Sequence, residues 1–207
     1  MGGKDRYACR PWAWWAARRS GPETPLFLMG VSMGASTVLM TSAFALPDNV
    51  HGIIADCGYT SPQAIWKHVA QTNLHVTYDE WLSGIIDEMC KERIHFSSTD
   101  YSCTQALADS HVPVLFIHGT DDTFVPVEMT YENYKACVSP KRLLVVPGAG
   151  HGMSYVVDRK LYEQAVLQFW HDFDGPSLKI QSLVKIRPAL WGQTQYETAQ
   201  NHQQVCL

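Results

Sequence analysis

The sequence predicts an α/β fold, a mostly parallel sheet with helices on both faces. Short apolar runs at 26–29, 52–56, 113–118 and 142–146 alternate with segments of helical composition. The runs are apolar throughout and do not alternate, as expected of strands buried on both faces. Serine, aspartate and histidine candidates follow three of these runs at their carboxyl ends, where open parallel sheets collect reactive groups.

In chain order, residues 5–19 read as a helix with Tyr7, Trp12, Trp15 and Ala16 as an apolar stripe, interrupted by Pro11. Ser20-Gly-Pro-Glu-Thr-Pro25 is a loop. The strand at 26–29 runs into Gly30-Val31-Ser32-Met33-Gly34, and a helix follows over 35–45. The strand at 52–56 precedes a helix at 61–71 with Pro62 in its first turn. Residues 74–111 read as helical and irregular. A strand at 113–118, a helix at 128–137 and a strand at 142–146 come next. One long helix over 154–173 closes the pattern, apolar at Val157, Leu161, Ala165, Phe169 and Phe173. Residues 1–174 thus form the core. Beyond Gly175-Pro176 the chain turns Gln-rich and aperiodic, and 175–207 read as a weakly ordered tail.

Composition narrows the function. The 207 residues are 46% hydrophobic and 17% charged, with a net charge of −4, which argues against nucleic acid or an anionic membrane as partner. No apolar run approaches the roughly 18 residues of a membrane span, and no signal-peptide core is present. The six cysteines are scattered without a C-x-x-C pair and read as reduced thiols of a cytoplasmic protein, with no zinc site, metal or cofactor implied.

Strand, then G-x-S-x-G, then helix is the order of a nucleophile elbow. The bare pattern arises by chance in about one chain in fifteen of this length, so the flanking strand and helix carry the weight. A serine hydroxyl is a poor nucleophile and must be held exposed beside a base. A sharp turn lifts Ser32 above the sheet, Gly30 and Gly34 leave out Cβ atoms that would collide around it, and the following helix points its N–H groups at the reacting centre. The Met33 backbone N–H is the candidate oxyanion donor. Asp121 and Asp122 follow the third strand in His118-Gly-Thr-Asp-Asp-Thr-Phe-Val-Pro126, and His151 follows the fourth in Gly148-Ala-Gly-His-Gly152. An imidazole can take the serine proton and return it to a leaving group, while a carboxylate fixes its tautomer. Loop position alone does not separate Asp121 from Asp122, and Asp56 is a third candidate acid.

These three motifs, in this order over roughly residues 5–173, resemble the α/β-hydrolase superfamily. The likeness is to bacterial serine hydrolases similar to serine aminopeptidases and prolyl-oligopeptidase-like esterases. The resemblance implies a partial α/β-hydrolase fold with a small helical cap at about 74–100. It implies a Ser32–His151–Asp122 triad cleaving carboxylic esters through an acyl-enzyme, with His118 stabilising the acid's loop. Small esters or short peptides are the expected substrates. The alternatives are a peptidase of the same fold, or a catalytically impaired remnant. Within the cap, Trp81, Leu82, Ile85, Ile86 and Met89 fall at helical spacing. That stripe either docks the helix on the core or roofs an apolar acyl pocket, with Trp81, Ile85 and Met89 touching substrate. The chain departs from the family upstream of the elbow, where about twenty-five residues stand in place of several strands and the second oxyanion loop. It therefore reads as a fragment or an N-terminally truncated product, with an exposed sheet edge open to self-association.

Overall fold

A computed structural model describes residues 4–174; the expected tail at 175–207 lies outside the described residues. Four strands, β1 (Leu26–Val31), β2 (Val50–Asp56), β3 (Val114–Gly119) and β4 (Lys141–Val146), form one sheet in the order β1-β2-β3-β4. All three pairings are parallel. Every crossover therefore contains a helix, since parallel neighbours cannot be joined by a tight hairpin.

Side-chain alternation along the strands builds two cores. Ile53, Ala55, Phe116 and Leu143 face one way, against α2 (Met33–Thr41), α5 (Cys103–Ala108) and α6 (Val127–Ala136). Ile54, Leu115, Ile117 and Leu144 face the other way, against Tyr162, Ala165 and Phe169 of α8 (Arg159–Phe173). Gly52 makes that second contact possible. A Cβ there would come within 2.7 Å of the Phe169 ring and 2.8 Å of Phe27. Among the described residues β1 pairs only with β2, so it forms one edge of the sheet.

Two expectations need correction. Helix α1 (Asp5–Ser20) forms with Pro11 inside it, but Tyr7, Trp12 and Trp15 are exposed, and its buried residues are Arg6, Ala13 and Ala17. Small alanines let α1 approach the core closely, which bulky indoles on that side would prevent. Arg6 is buried because its guanidinium sits 3.6 Å from the centre of the Tyr101 ring, a cation–π contact that spacing cannot reveal. The single helix expected at 154–173 is two, α7 (Ser154–Val157) and α8. Asp158 breaks it by leaving helical geometry and accepting a hydrogen bond from Leu161 N–H at 2.9 Å, as an N-cap does. Val157, expected on the apolar face, is exposed as a result.

The remaining helices are α3 (Pro62–His68), capped by the Ser61 hydroxyl and continued by a π-turn (Val69–Asn73), and α4 (Glu80–Ile94). Helix α4 starts at Asp79, whose carboxylate accepts from Leu82 N–H, and it buries none of its side chains. The apolar stripe is split: Leu82 and Ile86 are half-buried, whereas Trp81 is 72% exposed and Ile85 and Met89 are exposed as well.

Phe169→Ala should lower stability by about 3–5 kcal/mol, the usual cost of emptying a fully buried aromatic site. Trp15→Ala, on the exposed face of α1, should change it by under about 0.5 kcal/mol. Urea unfolding followed by far-ultraviolet circular dichroism measures both; equal losses would mean that the face of α1 has been misassigned.

Candidate active site

Parallel register brings the carboxyl ends of the strands to one edge. Gly30 pairs with Ala55, Asp56 with Ile117, and His118 with Val145. The ladder continues one residue past β1 and β2, through Ser32 N–H to the Asp56 carbonyl at 2.8 Å and Cys57 N–H to the Ile117 carbonyl at 2.9 Å. Both Ser32 and Cys57 have left-handed backbones, with φ of 55° and 49°. Non-glycine residues adopt such angles at a cost, and they cluster at functional sites.

The turn at Ser32 depends on Gly30. A Cβ there would sit 2.2 Å from the Gly34 carbonyl carbon and oxygen, backbone atoms that cannot swing aside. Gly34 is different: a Cβ on it would meet nothing within 4 Å. The expectation that both glycines relieve a collision holds for Gly30 alone.

Ser32, His151 and Asp122 meet in one line. Ser32 Oγ lies 2.8 Å from His151 Nε2, and His151 Nδ1 lies 2.7 Å from Asp122 Oδ2. Asp122 is fixed from several sides: its Oδ1 accepts from Phe124 N–H at 3.0 Å and Val125 N–H at 2.8 Å. Its Oδ2 also lies 3.2 Å from His118 Nε2. That nitrogen must carry a hydrogen, because the Val125 carbonyl 2.8 Å away can only accept. His118 Nδ1 meets the Thr130 hydroxyl. His118 thus braces the acid's loop from inside the core and lies away from solvent. Asp121 is exposed and accepts from its neighbour Thr120. Asp56 is buried beside the Ser154 hydroxyl at 3.4 Å. Of the three candidate acids, Asp122 is the one that reaches His151.

The electrostatics follow from these contacts. Burial alone would raise the Asp122 carboxyl, but hydrogen bonds from His118, His151 and Val125 N–H outweigh it and hold the group well below the ordinary carboxylate range. The hydrogen bond to Asp122, then that to Cys57, hold His151 well above its ordinary 6.5, against its partial burial. Burial keeps Asp56 raised, with Tyr162 and Ser154 donating to it.

Apolar side chains stand open around the line: Met33, Phe124 and Met153 are each 43–48% exposed, and the Phe124 ring centre is 5.0 Å from that of His151. Helix α4 borders other hollows. One, of about 250 Å³, is lined by Trp66, Ile86, Met89, Cys90, Arg93 and Ile94; another lies between α3 and the first turns of α4. Neither is lined by Ser32, Asp122 or His151, and Trp81 and Ile85 line neither.

Cys57 is the site residue that sequence reading missed. Donor atoms of Cys57, Asp122 and His151 all lie within 4.8 Å of one another. Its place directly after the apolar run at 52–56 was the available signal, and the lack of any spaced partner hid it.

A parallel sheet layered by helices, with hydroxyl, imidazole and carboxylate in line at its strand ends, defines an α/β-hydrolase. The chain belongs to the prolyl oligopeptidase family, whose sequence profile matches residues 9–174. It is 32% identical to the protein YqkD of Bacillus subtilis over 143 residues, 68% of this chain and 46% of that protein. It is 42% identical to the bifunctional esterase/perhydrolase DCH of Acinetobacter calcoaceticus over 60 residues, 29% of this chain and 21% of DCH. The chain thus aligns with less than half the length of these relatives. Among solved structures, the Pyrococcus furiosus esterase Pf2001 superposes with a TM-score of 0.63 at 19% identity, covering 84% of this chain and 63% of that one. The acylaminoacyl peptidase of Pyrococcus horikoshii gives 0.53 at 14% identity, over 76% and 25% respectively. At these identities the superpositions speak for the fold. No helix among the described residues is long and apolar enough to cross a membrane.

The contrast between the two elbow glycines makes a prediction. Gly30→Ala should cost about 1–3 kcal/mol, as forced overpacking does. Gly34→Ala, inside α2 and free of contacts, should be neutral or gain up to about 1 kcal/mol of helix propensity. Thermal denaturation of the two variants decides it; the reverse order would show that the turn is built differently.

Proposed function

We propose that this protein is a serine hydrolase that cleaves carboxylic esters through an acyl-enzyme, with Ser32, His151 and Asp122 as its triad. The observation that carries this reading is the continuous hydrogen-bonded line at 2.8 Å and 2.7 Å, with Ser32 on a left-handed turn at a strand end. His151 Nε2 takes the Ser32 proton as Oγ attacks the acyl carbonyl. Asp122 keeps the other imidazole hydrogen on Nδ1 and stabilises the imidazolium. The imidazolium protonates the departing alcohol, and water then repeats the sequence to release the acid. Met33, the first residue of α2, has no intrahelical acceptor for its N–H and is the oxyanion donor.

Exposed Met33, Phe124 and Met153 favour an apolar acyl group beside Ser32. In the same reading, residues 74–100 act as a cap over the 1–174 core, and exposed Trp81, Ile85 and Met89 offer apolar contacts to longer substrates. The family's printed description favours a second reading, in which the same groups cleave peptides. Parallel assays on a p-nitrophenyl ester and the matching anilide separate the two by their kcat/KM ratio.

Treatment with a fluorophosphonate should place one adduct on Ser32, mapped by peptide mass. A label on Ser36, Ser61 or Ser154 with Ser32 untouched removes the proposed nucleophile, and no labelling at all favours an impaired remnant. Asp122→Asn should lower kcat by roughly 10⁴-fold, as a wrong tautomer does in other triads, and Asp121→Asn far less. Equal losses would mean that the acid is misassigned.

The base works only when neutral, so kcat/KM should rise with pH as His151 loses its proton. Because Asp122 and Cys57 raise that group, the midpoint of the rise should lie above 6.5. Asp122→Asn should move the midpoint down. A native midpoint at or below 6.5 would contradict the assignment of these contacts.

A further inference from the structure

The cluster formed by Cys57, Asp122 and His151 holds the three donor types that bind zinc: thiolate, carboxylate and imidazole. We propose that these residues form a site for a soft divalent cation, with Zn²⁺ the preferred ion, and that occupying it switches the hydrolase off. The switching half rests on the function proposed above; the binding half does not.

Geometry comes first. The three donor atoms lie within 4.8 Å of one another. Zinc bonds of ~2.3 Å to sulfur and ~2.0–2.2 Å to nitrogen and oxygen set tetrahedral donors about 3.3–3.6 Å apart. The Nδ1–Oδ2 separation is 2.7 Å, so once the shared hydrogen leaves these two donors must open by about 0.6–0.9 Å while the thiol, within 4.8 Å of both residues' donors, moves inward. Cys57 is held against His151 by a left-handed backbone at the end of β2, and its N–H is tied to Ile117. Asp122 is held by two backbone N–H groups on the oxygen opposite the one facing His151. Two ligands are therefore already fixed. The third, His151, is partly exposed and gives the cation its route in. A thiolate and a carboxylate together neutralise a divalent charge, and the thiolate favours a soft ion over Mg²⁺ or Ca²⁺.

The proton balance explains the switch. The thiol proton leaves to solvent as sulfur binds the ion. A cation on Nδ1 displaces the hydrogen held there, which moves to Nε2 while the imidazole stays neutral. Nε2 then faces Ser32 Oγ as a donor and has no lone pair to receive the serine proton. The hydroxyl remains in place and loses its base.

Cadmium is the probe for binding, because a thiolate–cadmium bond produces an ultraviolet charge-transfer band. Titration of the full chain should give one equivalent of band per protein, reversed by zinc and by a chelator. Ser32→Ala should keep the band, since Ser32 bonds His151 at Nε2 and supplies no donor atom to the ion. Cys57→Ser should abolish it. His151→Gln, which leaves the thiol in place, should weaken binding at least by the roughly 10–100-fold that losing an outer-sphere partner costs. It also decides the matter if the cysteine variant fails to fold. A band that persists in Cys57→Ser comes from another cysteine, and one indifferent to His151→Gln shows that His151 is no ligand; either overturns the site.

The switch is read by fluorophosphonate labelling with and without zinc, as a ratio within each variant. Zinc should slow labelling at least tenfold in the native chain and leave the ratio near one in Cys57→Ser. Equal slowing in both, or acceleration by zinc, overturns the inhibition. A native chain that binds cadmium at Cys57 but never labels keeps the metal site and removes the hydrolase reading.

Discussion

Parallel pairing carries the carboxyl ends of β1, β2, β3 and β4 to one edge of the sheet, and Ser32, Cys57, Asp122 and His151 stand on that edge. Ser32 and Cys57 extend the β1–β2 and β2–β3 ladders by one hydrogen bond each, so their positions are set by backbone pairing. Asp122 and His151 sit on loops, which are held by contacts on both sides. Thr120 N–H bonds the Val146 carbonyl and Asp121 N–H bonds the Ala149 carbonyl. The Thr120 hydroxyl also accepts from Gly148 N–H at 2.8 Å. The acid's loop and the histidine's loop are therefore one connected unit, and displacing either moves both.

Asp122 shows what burial demands of such a unit. An ionised carboxylate shielded from water is tolerable only when its oxygens are filled with donors. Phe124 and Val125 N–H groups occupy Oδ1, and His151 and His118 share Oδ2. Each donor lost would leave an unpaired buried acceptor at a cost of about 1–3 kcal/mol. His118 thus contributes to the site through Asp122, away from Ser32. It is locked between Thr130 of α6 and the Val125 carbonyl, and so couples the packing of α6 to the orientation of the acid.

Much of this was readable from residue order. Continuous apolar runs marked all four strands; β2, β3 and most of β4 are buried on both faces and have no polar side to confuse the pattern, whereas the edge strand β1 is only partly buried, with Met29 and Val31 exposed. Ser32, Asp122 and His151 were readable because turn chemistry puts glycines and reactive groups at strand ends. Helix orientation was less legible. The indoles of α1 suggested a buried stripe, but its packing is decided by how closely Ala13 and Ala17 allow α1 to approach, which is a tertiary fact. The stripe of α4 was legible only as periodicity: Trp81, Ile85 and Met89 have helical spacing, and spacing cannot say what lies opposite. Asp158 was hidden by its neighbours Val156 and Val157, which extend an apolar pattern that the aspartate's capping bond cuts. Cys57 carried no motif at all, and only the parallel registers of β2, β3 and β4 bring it to His151.

The position of that thiol creates a competition at one atom. In the hydrolytic reading His151 Nδ1 must keep its hydrogen, because that hydrogen orients the ring toward Asp122 and leaves the Nε2 lone pair for Ser32. In the metal-bound state the same Nδ1 must give its lone pair to the cation. Both states draw on Asp122, one as proton acceptor and the other as ligand, so they exclude each other without a change of fold. Linkage then fixes the direction of every mutual effect. Whatever stabilises the imidazolium, such as lower pH or a bound tetrahedral anion near Ser32, weakens the cation. Whatever deprotonates Cys57 strengthens it. An imidazole tied to a strong carboxylate partner is thereby exposed to soft cations once a thiol stands within reach, and the parallel register of β2, β3 and β4 puts one there.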